Sequence, residues 1–273
     1  MQHRREDLDH PRAEAPDRAD RLTTVRESIG DAVGRWLAPA VATITRLRGS
    51  RMFHPVGYTF AGRIEPVIGG HFDLLGPRLD GRALVRVSGA LWKDEREWLD
   101  VLGVALRIRA GHGKDLGDRA EHGDQDLLFA TMRSPATMLL APLATDGSTF
   151  LQHYWAVTPF DAPPVGRIEL RLVPIGTANI GGARIGRLRE AVRRGQAGWW
   201  LEARKTMSLG WHPVAQIWLE REHAVDQAEL AFDPFRAGGN FTPTGLVQSI
   251  RKAVYAVAQR TRRALAEATI GSR

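Results

Sequence analysis

Arg251, Tyr255 and Arg262 have types and spacing that could do chemistry. The segment around them predicts a helix: Val247, Ile250, Val254, Val257 and Ala258 recur at helical spacing, with no Gly or Pro among them. At about 100° per residue the three polar side chains fall within about 40° of one another. A phenol therefore shares a face with two guanidiniums. Arg251 stands one turn before Tyr255, within hydrogen-bond reach of its oxygen. A guanidinium there favours tyrosinate over a phenol whose unperturbed pKa is about 10. Tyrosinate is a hard anionic ligand suited to ferric iron, and tyrosine is one known proximal ligand of haem. The same spacing also fits an amphipathic basic helix with a half-buried Tyr.

Two further groups lie upstream. Arg51-Met52-Phe53-His54-Pro55-Val56-Gly57 leads into a strand-like run from Tyr58 to Ile64. A lone His is usually structural, but this one follows an Arg by three and precedes a strand. Arg82-Ala83-Leu84-Val85-Arg86-Val87-Ser88 then reads as a strand and carries Arg86 and Ser88.

In this order the three segments resemble the signatures of haem catalases. Arg251, Tyr255, Gln259, Arg260 and Arg262 look like the proximal helix, Arg51-x-x-His54-x-x-Gly57 like the distal motif, and Val85-Arg86-Val87-Ser88 like the strand ending Val-Arg-Phe-Ser. The resemblance implies that Tyr255 ligates the iron of haem b and that Arg251 holds it as tyrosinate. It implies that Arg51, Arg86 and Arg262 meet haem propionates. His54 would be the acid–base group, a role suited to imidazole near neutral pH, with Ser88 beside it. Gly103-Val104-Ala105-Leu106-Arg107 resembles a further catalase segment.

The pattern also departs from the family. Ala256 replaces the proline that often follows the ligand Tyr, Pro55 replaces a small residue, and Leu102 replaces an Arg. Catalases place an Asn a few residues after an Asp-Leu pair. After Asp126-Leu127 the matching place is near Ala130, and the chain's two Asn are at 179 and 240. The distal site is thus incomplete. Peroxide dismutation is in doubt, while one-electron peroxidase chemistry or reaction with an organic hydroperoxide demands less of that Asn.

The elements that must position these residues follow from pattern. At 273 residues and 43% hydrophobic content a substantial core is affordable. Residues 1–20 read as a loose charged tail, 21–48 as a helical arm, and 49–273 as the main domain. Residues 149–157, 166–174, Trp199 to Arg204 and Val214 to Leu219 read as further strands, 183–196 as a basic helix, and 111–124 as an exposed loop. Trp199, Trp200, Trp211 and Trp218 read as core. About eight strands ahead of a last helix suit the α+β fold that the resemblance implies: a catalase-like antiparallel β-barrel with flanking helices and a C-terminal proximal helix.

Zero Cys removes disulfide and thiolate chemistry and suits a cytoplasmic location. The net charge of +7 favours anionic partners. No apolar run nears the roughly 18 residues of a membrane span. The expected partners are a peroxide or organic hydroperoxide, a small reductant, no specific nucleic acid, a membrane surface touched by the N-terminal arm, and a second copy of the chain. Two alternatives stand beside the haem peroxidase reading: haem binding without turnover, and a basic barrel that binds a polyanion. Some short proteins of this type carry the label phosphodiesterase, but no His and Asp constellation here supports that chemistry.

Overall fold

The computed structural model describes residues 57–90, 97–111, 113, 116–133, 141–156, 158–177, 180, 182–227 and 229–244. The expected tail 1–20, the arm 21–48, and Arg51, His54, Arg251, Tyr255 and Arg262 lie outside these.

The strands are β1 Gly57–Pro66, β2 Gly81–Gly89, β3 Leu102–Ala110, β4 Gln125–Ala130, β5 Tyr154–Trp155, β6 Phe160–Ala162, β7 Gly166–Pro174, β8 Gly198–Lys205, β9 His212–Glu222 and β10 Thr242–Pro243. Two helices are described, α1 Ala141–Ala144 and α2 Arg184–Arg193. Every strand pairing is antiparallel, in the order β7-β5-β4-β3-β2-β1-β9-β8, and β8 pairs back onto β7. This closes an eight-strand barrel, as expected. The short strands β6 and β10 branch from β7.

Alternation sets which residues face inward. Phe60, Val85, Val87, Val104, Leu106, Phe129, Leu170, Leu201 and Ile217 belong to one buried cluster that fills the interior. The bulge between Ala61 and Gly62 brings Gly62 against the Trp218 carbonyl, where a Cβ would collide. The predicted basic helix is α2, and Ile185, Leu188 and Val192 form its buried side. It packs across the barrel end that carries Tyr58 and Gly89. Arg189 lies 5.5 Å over the Tyr58 ring, and Arg184 reaches Asp100 at 3.4 Å.

Three expectations are corrected. Among the described residues of 149–157 only Tyr154–Trp155 is strand. The Thr149 hydroxyl accepts from the Leu151 amide and the Phe150 carbonyl accepts from the Gln152 amide, and such local bonds compete with sheet pairing. The 111–124 loop is not exposed throughout: Leu116 and Asp124 are buried. Of the four tryptophans only Trp199 is fully buried; Trp211 is half-buried between the guanidiniums of Arg171 and Arg204, at 4.5 and 4.6 Å.

Candidate functional site

The outward face of β1–β4 forms four rungs. Register aligns Gly57, Ser88, Gly103, Ala130 and Trp155 in the first. Thr59, Arg86, Ala105 and Leu128 form the second, and Ala61, Leu84, Arg107 and Asp126 the third. Arg63, Arg82 and Arg109 form the fourth. The first rung carries almost no side chain between Gly57 and Ala130. At about 4.8 Å per strand, Ser88 to Trp155 spans about 14 Å. The result is a shallow floor with a hydroxyl within it and an aromatic ring at its far edge.

Arg86 borders the floor and is buried, at 5% exposure. Its Nε donates to Gln227 Oε1 at 3.3 Å, Gln227 Nε2 donates to Thr59 Oγ1 at 3.3 Å, and Thr59 Oγ1 donates to the His223 carbonyl at 2.9 Å. This directed chain orients the guanidinium. The Arg86 guanidinium lies over Gly57, so a Cβ there would have to displace it. Ser88 is buried one residue-pair further along the strand.

A strap, residues 223–244, crosses the second to fourth rungs. Leu230 packs on Leu84 and Leu116. Asp126 anchors it: the carboxylate accepts from Arg107 Nε at 3.2 Å, from the Asp233 amide at 2.8 Å, and from Arg236. Gln125 adds bonds to the Arg236 and Phe241 carbonyls and to the amides of Gly239 and Phe241. Burial pushes the Asp124 carboxyl up, but the Arg109 guanidinium at 2.8 Å and the Glu121 amide outweigh that and hold it below the usual carboxylate range. The strap ends with the Thr244 amide donating to the Pro159 carbonyl at 2.9 Å.

At the far edge of the floor, His153 stacks on Trp155 with centroids 6.0 Å apart, and Arg133 lies 5.0 Å over the Trp155 ring. Burial, then the charge of Arg171, holds the His153 pKa below its ordinary value.

Of the seven residues expected to form the site, Arg86 and Ser88 are described, and they share one face two positions apart. The other five lie outside the described residues. Two of the chain's three tyrosines are described. Tyr58 and Tyr154 both belong to the inward side: Tyr58 packs against the core beside Phe150, and Tyr154 donates to the Phe150 carbonyl at 2.8 Å while burial pushes its phenol up. Neither can serve the outer floor as tyrosinate. Sequence reading missed Thr59 and Gln227, because a hydrogen-bonding chain through a non-periodic strap leaves no pattern in sequence. It also passed over Asp126 as an anchor, although the Asp-Leu pair was in view.

Among the described residues no three His, Cys, Asp or Glu side chains converge as a metal site, and no helix is long and apolar enough to cross a membrane.

No protein-family model matches the chain, and no curated protein matches it. Solved structures do. A bacterial catalase aligns with a TM-score of 0.51 at 15% identity, over 81% of this chain and 60% of that one. A fungal catalase aligns with a TM-score of 0.54 at 13% identity, over 81% and 62%. The barrel therefore has the catalase-like fold, and the chain spans about 60% of the length of the catalases it matches.

Proposed function

We propose that this chain is a haem b-binding hydroperoxide-processing enzyme of the catalase-like fold. The observation that carries the reading is the first rung with its neighbour: a floor of Gly57, Ser88, Gly103 and Ala130, bordered by the buried cation Arg86. That shape fits a flat apolar body with an anionic edge, which is the form of a porphyrin carrying propionates. By the catalase resemblance Tyr255 would hold the iron, and Arg251 would favour its oxygen as the anion. Arg86, with Arg51 and Arg262 by the resemblance, would neutralise the carboxylates, and an anion there would offset the cost of burying the Arg86 guanidinium. Haem, when bound, supplies a redox-active iron that takes oxidising equivalents from a peroxide. His54 would take the proton from the peroxide oxygen that binds and return it to the oxygen that leaves as the O–O bond breaks, so that water or an alcohol departs, with the Ser88 hydroxyl beside it.

Ala130 decides the substrate preference. It lies on the same rung as Ser88, two strands away, and has no polar group to orient a second hydrogen peroxide. Turnover of one hydroperoxide with a small one-electron donor is thus favoured over dismutation. The same residue favours, as a second reading, haem binding without turnover.

The test is a reaction with peroxide after reconstitution with haem. His54→Ala is expected to keep the haem absorbance while slowing the first reaction with peroxide about 10²- to 10⁴-fold. Unchanged kinetics would exclude His54 as the acid–base group.

A further inference from the structure

We propose that the β8–β9 hairpin, with the β1–β2 loop beside it, docks this protein on an anionic lipid bilayer. The proposal is independent of the cofactor and concerns the barrel end opposite Ser88 and Ala130. At the hairpin tip Met207 is 94% and Leu209 92% exposed. Met207 sits at φ +73°, a conformation that Gly adopts at less cost. A bulky apolar side chain is thus held outward where both solvation and backbone preference oppose it.

The neighbouring loop repeats the feature, with Ile68 at 78% and Leu74 at 57% exposure. The two turns are joined. The His71 and His212 rings stack at 4.1 Å, and the Val67 amide donates to the Val214 carbonyl at 2.9 Å. Four exposed apolar side chains therefore project from one braced rim. Scattered exposed apolar residues need no explanation, but a grouped set does.

Charge and aromatic placement select the partner. From Ala203 to Leu219 the chain has no Asp or Glu; behind the tip stand Arg204, which pairs with Glu169 of β7, and Lys205. Lys205 is exposed, and among the described residues neither it nor the adjacent Arg167 has an ion-pair partner. The exposed acids on this rim include Glu65, paired with Arg63, Asp73 in the β1–β2 loop, and Asp161, which lies opposite Arg167. Trp211 forms a shoulder between two guanidiniums, the position of an interfacial aromatic. Apolar tips enter the acyl boundary while cations behind them meet anionic headgroups. A protein partner, including a second copy, would need a complementary pocket and roughly 800 Å² from each side. Narrow protruding tips suit a fluid bilayer better.

The test is co-sedimentation of the full chain with phosphatidylserine-containing vesicles and with pure phosphatidylcholine vesicles, alongside sedimentation velocity without lipid. Wild type is expected to bind the anionic vesicles, more weakly at high salt. The Met207→Asp, Leu209→Asp double variant is expected to lose at least about tenfold in binding. Leu143→Asp, on α1 away from the rim, serves as the control and is expected to bind as wild type. Absence of vesicle binding by wild type, or equal binding by the double variant, would overturn the proposal. So would a self-association that the double variant abolishes in the absence of any vesicle binding.

Discussion

β2 and β7 have the same length and nearly the same pattern, Gly-Arg-Ala-Leu-Val-Arg-Val-Ser-Gly against Gly-Arg-Ile-Glu-Leu-Arg-Leu-Val-Pro. Both turn alternate residues into the barrel, Ala83, Val85 and Val87 in β2 and Ile168, Leu170 and Leu172 in β7. Their outward faces differ. In β2 that face is buried: Arg86 is 5% and Leu84 0% exposed, under the strap and its anchors. In β7 Arg171 is half-exposed, paired with Glu202 at 2.6 Å and stacked on Trp211. Arg86 and Arg171 hold the same place in the pattern, and what lies across the sheet decides their roles. A wall buried on both faces has something packed against each, and this is where a ligand floor can be built. A wall with one wet face carries surface ion pairs.

The largest effect should come from the strap's anchor. Asp126→Ala leaves the Arg107 guanidinium buried beside no carboxylate and is expected to cost about 3–5 kcal/mol in urea unfolding. A loss below about 1 kcal/mol would mean that the strap is not fastened there. The matching change on the other wall is Glu169→Ala, which breaks the half-exposed pair with Arg204. It is expected to cost less than about 1 kcal/mol. Equal costs at the two sites would erase the distinction between the walls.

A smaller effect concerns pH. Hydrogen bonds from Arg82 and Arg63 outweigh partial burial and hold the Glu220 carboxyl below its ordinary value. An acid whose pKa is depressed in the folded state stabilises above its unfolded pKa, near 4. That contribution is lost as pH falls through the folded value. Melting temperatures of wild type and Glu220→Gln should therefore converge as pH drops below about 4. A gap that persists in acid would assign the difference to packing instead.

Much of the barrel was legible in the chain. Alternation alone places β1, β2, β7, β8 and β9, because each buries one face inside. The difference between Leu84 and Glu169 even signals which outer face is covered. The 149–153 turn was not legible, because its buried Phe150 and Leu151 look like strand residues while local hydroxyl and carbonyl acceptors hold the backbone. Nor was the bracing of Arg86, which depends on Gln227 from 141 residues away. The partnership of Arg86 and Ser88 was legible, since two positions on one strand must share a face. Ala130 joins them only through the pairing of three strands.

The central claim is that the covered wall carries a porphyrin ligated by Tyr255. The most direct test is the absorption spectrum of the purified full-length protein titrated with haem, beside Tyr255→Phe. Saturable binding with a high-spin ferric, tyrosinate-ligated spectrum that Tyr255→Phe loses is the expected result. Failure of the wild type to bind haem, or an identical spectrum from the variant, would contradict it.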